Sequence, residues 1–273
     1  MNTALRIRLV AACGSLLLLS SCSQVAVTGR RQLNLVPASV MQSMSFQSYN
    51  EFLSQNKVSS NTEQTQMVKR VGLRIQKAVG QYCALNNISD QLEGYKWEFN
   101  LVEDPSVNAW CMAGGKVVVH SGLLPVAGDD TGLAVVMGHE IAHAVAKHGA
   151  ERMTQGLIVE FGGMALSQAL TKQPEQTRSL FMRSYGVGAQ YGVLLPYSRV
   201  HESEADHMGL MFMAMAGYDP RQAVSFWERM SAAGKDKSSP PEILSTHPAD
   251  ATRIKKIKSL LPEAMEYYKA AQR

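Results

Sequence analysis

The segment His139–His143 reads HEIAH and places two histidines four residues apart in an otherwise apolar stretch. On an α-helix, residues four apart lie on one face about one turn apart, so both imidazoles can reach a single metal ion. Glu140 lies about 100° further round the axis, where its carboxylate can take up a proton without binding that ion. Valine, methionine and alanine residues on both sides predict a buried helix, in which such polar groups are costly unless they are used. The pattern therefore favours a chain that folds around a metal-binding helix.

A second acidic segment can complete such a site, because a catalytic zinc ion has three protein ligands and one open position. The sequence VHESEAD at 200–206 supplies three carboxylates at the start of a predicted helix. Glu202 and Asp206 share one face of this helix, whereas Glu204 lies about 200° from Glu202. The face of Glu202 continues through small residues (Ala205, Gly209 and Ala216), and the face of Glu204 through bulky ones (Met208, Met211 and Met215).

These two faces predict different roles for the acids. Small residues let the helix approach the histidine-bearing helix closely, as a carboxylate ligand requires, so Glu202 is predicted to be the third metal ligand. Asp206, one turn later, is placed to accept the free N–H of a ligand histidine. Glu204 is predicted to be an ordinary surface residue or to form a local pair. His148 points away from the ligand face if the helix continues from His143, and is predicted to lie at the surface.

The first 21 residues have the organisation of a signal peptide. Two arginines precede an apolar run of 11 residues, Leu9–Leu19, which is too short to span a bilayer comfortably. The run ends in LSSC at 19–22, which resembles the lipobox of bacterial lipoproteins, whose cysteine is acylated after cleavage. We therefore expect a lipid anchor on Cys22 that holds the protein at an envelope membrane, facing the periplasm. Ser23 is compatible with sorting to the outer membrane.

The rest of the chain is predicted to form one domain. We divide it into a tether (22–37), a domain that contains the predicted metal site (38–262) and a short tail (263–273). A chain of 273 residues can bury a sizeable core. Its net charge of +4 is small and no basic stripe with interleaved aromatic residues is present, so nucleic acid is not an expected partner. The oligomeric state is left open.

Cys83 and Cys111 remain as cysteines of the domain itself. Two cysteines in an oxidising envelope compartment can form one disulfide. Two buried free thiols are the alternative, and the sequence does not decide between them. Neither cysteine belongs to a C-x-x-C pair that would suggest a thiolate metal site.

The hydropathy pattern predicts a mostly helical α+β fold with a small hairpin or sheet beside the metal-binding helix. Alternation at 97–101 predicts a strand, and Gly114-Gly115 predicts the turn of a hairpin formed by 107–112 and 116–120. Helices are predicted at 38–56, 61–84, 129–148, 156–170 and 179–195.

Local signals predict where several of these elements begin and end. Ser60 and Glu63 have the spacing of a capping box, and Asp129 can cap the metal-binding helix. Gly149 is placed to terminate that helix. Loops are predicted near 171–177 and 234–242.

The sequence resembles the gluzincin metallopeptidases that include HtpX, the CAAX prenyl proteases, the mitochondrial Oma proteases and periplasmic lipoprotein relatives. The resemblance covers about 27 to 260 and implies a zincin-like fold with one zinc ion per chain. In that family the first glutamate of E-x-x-A-D binds zinc, which corresponds to Glu202. Four motifs carry the resemblance: Asn108-Ala109-Trp110 leading through Gly114-Gly115 to Gly122-Leu123-Leu124, the HEIAH segment, Ser198-Arg199 with Glu202–Asp206, and His247-Pro248 with Arg253.

The resemblance implies hydrolysis of peptide bonds, with Glu140 as general base and His247 near the metal. His247 can stabilise the oxyanion of the reaction, or it can occupy the open metal position and keep the enzyme latent. Arg253 can orient this loop or contact a carboxylate. Substrate is expected to add as a strand along the hairpin at Asn108, Ala109 and Trp110, although turn or bulge chemistry explains Asn108 equally well.

Misfolded or unassembled envelope proteins are the expected substrates, which makes protein quality control the expected role. The alternative is a zinc-stabilised lipoprotein that binds unfolded envelope proteins without cutting them. Glu140 argues against this alternative, because a structural zinc site has no use for a general base. Hydrolysis of a non-peptide amide, such as that of cell-wall peptide, stays open as a third possibility.

Overall fold

The computed structural model describes residues 22–25, 27–162, 164, 166–172, 174–187, 198–233, 241–248 and 251–273. The predicted α+β class is confirmed: helices predominate, and the described strands form a three-stranded sheet and a separate two-stranded ribbon. The strands are β1 (Cys22–Gln24), β2 (Arg31–Leu33), β3 (Glu98–Val102), β4 (Ala109–Met112) and β5 (Lys116–His120). The helices are α1 (Ala38–Gln55), α2 (Thr62–Leu85), α3 (Leu124–Ala127), α4 (Asp130–Val145), α5 (His148–Phe161), α6 (Leu166–Lys172), α7 (Pro174–Ser184), α8 (Arg199–Met215), α9 (Gln222–Ala233), α10 (Ile243–Thr246) and α11 (Ala251–Ala271).

The three-stranded sheet has the order β3-β5-β4. β5 pairs in parallel with β3 and antiparallel with β4, and every residue of β5 is buried. The predicted hairpin is confirmed: Met112 pairs with Lys116, and residues 113–115 form the turn. Gly114 and Gly115 have φ of 80° and 82°, a conformation that glycine adopts without strain. β4 is left as an edge strand that packs against α4.

Helix α4 lies at the centre of the molecule and is buried from Gly132 to Val145. It begins as predicted, because the Asp129 carboxylate accepts a hydrogen bond from the Gly132 N–H at 2.8 Å. Its main partner is α8, and the two helices meet at Gly138 and Gly209. A Cβ atom added to Gly209 would lie 3.0 Å from the backbone nitrogen of His139. The predicted close approach of these helices is therefore present.

The end of α4 differs from the prediction. The helix ends at Val145, and Lys147 adopts a left-handed conformation with φ of 60° before α5 begins at His148. Gly149 therefore does not terminate α4 but lies inside α5. A Cβ atom there would lie 2.4 Å from the Tyr185 ring, so close packing explains the glycine.

Other predicted boundaries are also wrong. The helix predicted at 156–170 is divided, because α5 ends at Phe161 and α6 runs from Leu166 to Lys172. The cap of α2 is Asn61, whose side chain accepts from the Gln64 N–H, and the Ser60 capping box does not form. Most of the predicted loop at 171–177 is helical, because Pro174 occupies the first turn of α7, where its missing N–H costs nothing. The helix predicted at 179–195 ends by Ser184. Positions 188–197 and 234–240, which include much of that helix and of the second loop, lie outside the described residues.

Regular secondary structure is present at both ends of the domain, where a tether and a tail were predicted. β1 pairs with β2, with Cys22 opposite Leu33, and the Gln32 side-chain amide donates to the Ala146 carbonyl at 3.0 Å. The predicted tail continues α11 to Ala271. The predicted signal peptide (1–21) lies outside the described residues. Within the described part of the chain, no helix has the length and apolar character that crossing a bilayer requires.

Candidate metal centre

Four buried side chains meet at the junction of α4, α8 and the residue after α10. His139, His143, Glu202 and His247 each offer one donor atom, and all these atoms lie within 4.8 Å of one another. The three ligands predicted from the sequence are thus brought together, and His247 joins them. α4 presents both histidines on one face, and the first turn of α8, capped by Ser198, presents the glutamate.

The spacing of these atoms fits a tetrahedral metal ion. His139 Nε2 lies 3.1 Å from His143 Nε2 and 3.2 Å from His247 Nδ1. Glu202 Oε1 lies 3.3 Å from His143 Nε2 and 2.8 Å from His247 Nδ1. Tetrahedral coordination with bonds of about 2.0 Å separates its ligand atoms by about 3.3 Å. Imidazole and carboxylate donors in this arrangement suit a divalent metal ion such as zinc.

The electrostatics of the pocket favour a positive charge at its centre. Burial alone lowers the pKa of His139, but the Glu202 and Asp206 carboxylates together outweigh it and raise that pKa to about 9. Burial would raise the pKa of Glu202, yet the charges of His247 and Arg253 hold it well below its usual range. The Glu202 carboxylate therefore stays ionised, and its negative charge favours the binding of a metal cation beside it.

Glu140 points into the same pocket without binding the other groups tightly. Its Oε1 atom is buried and accepts no hydrogen bond, and it lies 3.6 Å from His247 Nε2. Burial raises the pKa of this carboxyl group. An unsatisfied buried oxygen is costly, which marks a position where a water or substrate group would bind.

Asp206 and Arg253 lie behind His139. Asp206 Oδ1 is 3.0 Å from His139 Nδ1, where it can accept the ring N–H as the sequence predicted. The Arg253 guanidinium donates to both Asp206 oxygens at 2.8 Å and lies 2.8 Å from Glu202 Oε2. The guanidinium also lies 3.7 Å from the centre of the Trp227 ring. Arg253 thus contacts carboxylates, as one of its predicted roles requires.

The segment predicted to bind substrate is largely buried. The Asn108 side chain accepts from the Ala109 N–H at 2.9 Å, which is the local turn chemistry that the sequence left open. The Trp110 ring packs edge-on against Tyr49 and Phe52 and has 2% of its surface exposed. Any contact of this strand with substrate would therefore use its backbone edge and not the Trp110 side chain.

The structure decides the alternative that was left open for the cysteines, and it corrects the surface positions expected for Glu204 and His148. Cys83 and Cys111 are buried free thiols and form no disulfide. Glu204 and His148 are buried, with 3% and 0% of their surfaces exposed, and are not surface residues. His148 is buried because the left-handed Lys147 turns the chain back towards α8.

Sequence reasoning missed a cluster of five polar residues beside the metal centre. Arg30 donates two hydrogen bonds to Glu151 and three to Glu204, at 2.8–3.1 Å. His148 and His201 stack with ring centres 4.4 Å apart, and their Nε2 atoms each lie 3.0 Å from one of these carboxylates. Burial would raise the pKa of both glutamates, but the charge of Arg30 and the hydrogen bonds from the histidines and Arg30 lower it to about 2. We call these residues the Arg30 cluster.

The family model of peptidase family M48 matches residues 64–261, which include all four donors of the metal centre. The chain belongs to peptidase family M48. Its resemblance to the Oma proteases is thus confirmed at the level of the family.

Several characterised relatives match the M48 chain over much of its length. It is 35% identical over 243 residues to the mitochondrial metalloendopeptidase OMA1 of Schizosaccharomyces pombe, and 37% identical over 201 residues to that of Arabidopsis thaliana. These alignments cover 88% and 72% of this chain, but 66% and 39% of the relatives. The beta-barrel assembly-enhancing protease of Escherichia coli is 30% identical over 161 residues, or 58% of this chain and 33% of that protein. The chain thus spans from a third to about two thirds of the length of these relatives.

Proposed function

We propose that this M48 chain is a zinc-dependent endopeptidase of the bacterial cell envelope. The observation that carries the proposal is the buried set of His139, His143 and Glu202 beside Glu140, whose Oε1 accepts no hydrogen bond. The three ligands would hold one zinc ion. The zinc, when bound, would act as a Lewis acid that polarises the scissile carbonyl and lowers the pKa of water.

The proton transfers are assigned to Glu140. Its unpartnered oxygen takes the proton of the attacking water while the water oxygen bonds to the carbonyl carbon. The same carboxyl group then delivers that proton to the leaving amine nitrogen as the C–N bond breaks. A general base of this kind would serve no purpose in a structural zinc site, so Glu140 favours the peptidase over the non-cleaving binding protein.

His247 supports a second proposal, that the enzyme is latent in this conformation. Its Nδ1 atom lies among the donor atoms, 2.8 Å from Glu202 and 3.2 Å from His139, where it fills the fourth position. In the alternative role as an oxyanion stabiliser, the ring would have to leave this position. The two roles predict opposite effects of His247→Ala: activity rises if the ring blocks the site and falls if the ring stabilises the oxyanion. We expect it to rise.

Sequence evidence supports the proposed location and substrate. The lipobox-like LSSC at 19–22 supports a lipid anchor on Cys22 and a periplasmic domain, with Ser23 favouring the outer membrane. One relative is called a beta-barrel assembly-enhancing protease, which supports envelope proteins that are misfolded or unassembled as substrates. An extended segment of such a substrate would pair with β4, the edge strand that lies against α4.

The test compares wild-type protein with Glu140→Gln, which keeps the size of the side chain. Bound zinc is measured by elemental analysis, and cleavage is measured on a reduced, unfolded protein and on peptidoglycan fragments. His247→Ala is included in both forms, so that latency does not hide the activity. We expect about one zinc per chain in all proteins and cleavage of unfolded protein only where Glu140 is present.

Three results would change the proposal. Equal cleavage by Glu140→Gln would exclude Glu140 as the general base. Cleavage of peptidoglycan fragments alone would identify a non-peptidase amidase. Zinc binding without cleavage by any of the proteins, together with retention of unfolded protein, would support the non-cleaving binding lipoprotein.

A further inference from the structure

A chain of hydrogen bonds leads from the metal centre into the Arg30 cluster. His143 faces the other donor atoms with Nε2, and its Nδ1 atom lies 2.8 Å from Nδ1 of His148. On the far side of that ring, His148 Nε2 lies 3.0 Å from Glu204 Oε2. All three side chains are buried, so water does not offer them alternative partners.

The positions of the hydrogens in this chain follow from the metal ligand. A histidine that binds a metal through Nε2 is neutral and carries its hydrogen on Nδ1. His143 Nδ1–H must then donate to His148 Nδ1, which accepts with its lone pair. His148 accordingly carries its hydrogen on Nε2 and donates it to Glu204. Each N–H in this chain then has an acceptor, and the ionised Glu204 carboxylate accepts the last hydrogen bond.

Arg30 and Thr28 fix the end of this chain. The Arg30 guanidinium donates to both Glu204 oxygens at 2.9–3.1 Å, and the Thr28 hydroxyl donates to Oε1 at 2.6 Å. Arg30 also holds Glu151 with two further hydrogen bonds of 2.8 and 2.9 Å. Both residues belong to the short segment between β1 and β2, which is otherwise remote in sequence from the metal centre.

The other ligand histidine has a similar arrangement. His139 Nδ1 faces Asp206, and Asp206 is held by two hydrogen bonds from Arg253. Each ligand histidine is thus backed by a carboxylate that an arginine holds, and for His143 the neutral His148 ring extends the connection. Such outer partners fix the orientation of a ligand ring and strengthen it as a donor.

We propose that His148, Glu204 and Arg30 are positioning residues for the metal ligand His143. The N-terminal segment 27–33, which carries Arg30, therefore contributes to the geometry and affinity of the metal centre. The proposal rests on the metal centre of the proposed function and does not depend on peptide hydrolysis. It replaces the expectation that this segment only connects an anchor to the domain. It also gives Glu204, the acid that does not reach the metal, a role distinct from that of Glu202.

The test measures zinc affinity in full-length protein that carries single substitutions. His148→Leu removes both hydrogen bonds, whereas His148→Gln keeps an acceptor for His143 and a donor for Glu204. Arg30→Met removes the charge that holds Glu204. Arg70→Met is the matched control, because Arg70 forms a comparable two-bond pair with Asp130 on the surface, at the exposed start of α4 and out of contact with the ligands.

Zinc dissociation constants are obtained by competition with a chromogenic chelator, and the absorption spectrum of the cobalt-substituted protein reports on ligand geometry. We expect His148→Leu to weaken zinc binding about 10–100-fold, which is the usual effect of losing such an outer partner. Arg30→Met should weaken it in the same direction by a smaller factor. His148→Gln should restore most of the affinity and the cobalt spectrum, and Arg70→Met should change neither.

The result that overturns the proposal is an unchanged zinc affinity in folded His148→Leu and Arg30→Met. Equal losses in His148→Gln and His148→Leu would also overturn it, because they would point to packing and not to hydrogen bonding. If His148→Leu does not fold, the affinity of Arg30→Met relative to Arg70→Met decides. These measurements are independent of cleavage: wild-type protein that binds zinc but cuts nothing would refute the peptidase and leave this test intact.

Discussion

Gly138 and Gly209 face each other where α4 crosses α8, and a Cβ atom at either position would press against the backbone of the other helix. A Cβ atom on Gly138 would lie 3.0 Å from the Gly209 carbonyl oxygen, and one on Gly209 would lie 3.1 Å from the Gly138 carbonyl carbon. These backbones belong to the two helices that carry His139, His143 and Glu202. The distance between the histidine ligands and the carboxylate ligand is therefore set by contact between two stretches of main chain.

Gly209→Ala is expected to destabilise the protein by about 1–3 kcal/mol, since the added methyl group meets rigid backbone. It should also weaken zinc binding, because α8 must move away from α4. Urea unfolding and chelator competition measure the two effects. Gly80→Ala is the control: it lies within α2 with no atom near the added Cβ, and should stabilise the protein by about 0.5–1 kcal/mol. Similar stabilisation by both substitutions would contradict the close contact.

Arg253→Leu is expected to destabilise the metal-free protein by about 3–5 kcal/mol, because it leaves Asp206 and Glu202 as buried carboxylates without their guanidinium partner. Adding Asp206→Asn should recover part of the loss, so the two effects will not be additive. Unfolding in urea with a chelator present gives the free energies. Arg221→Leu, which breaks an exposed pair with Asp219, should change the free energy of unfolding far less, because solvent screens that pair. Strict additivity would show that the buried pair is not coupled.

Glu151 is expected to stabilise the fold in a pH-dependent way. Burial alone would raise its pKa, but hydrogen bonds from His201 and Arg30 lower it to about 2, while Glu204 shares the same arginine. A carboxyl group with a lowered pKa contributes its full stabilisation above about pH 4.5 and loses it as the pH falls towards 2. At pH 7 the free energy of unfolding of wild-type protein should exceed that of Glu151→Gln by about 1–2 kcal/mol. This range allows for the partial exposure of Arg30, which weakens the ion pair.

Urea unfolding of both proteins between pH 7 and pH 2.5, with a chelator present, checks this expectation. The difference between them should shrink steadily below about pH 4.5. A difference that stays constant down to pH 2.5 would mean that Glu151 is not held as an ionised partner of Arg30.

The ligand set could be predicted because its information is local. Four-residue spacing fixes the relation of His139 to His143, and small residues on one face of α8 identify Glu202 among three acids. Both arguments need only the period of a helix. The central hairpin was predictable for the same reason, since two consecutive glycines specify its turn.

His148 was misplaced because its position depends on one residue that breaks the helix period. A continuous helix would direct it away from His143, but Lys147 adopts a left-handed conformation that sequence patterns rarely predict for lysine. Arg30 was missed for a different reason: its partners Glu151 and Glu204 are more than 100 residues away. Long-range ion pairs leave no periodic signal in a sequence.

The pairing of β1 with β2 has a consequence for where the enzyme can work. Cys22 lies opposite Leu33 in this ribbon, and the ribbon is fastened to the core through Gln32 and Arg30. If Cys22 carries the proposed lipid, no long flexible linker would separate the bilayer from the domain. With that lipid in place, the metal centre would be held at a nearly constant distance from the membrane, and substrates close to the membrane surface would reach it most easily.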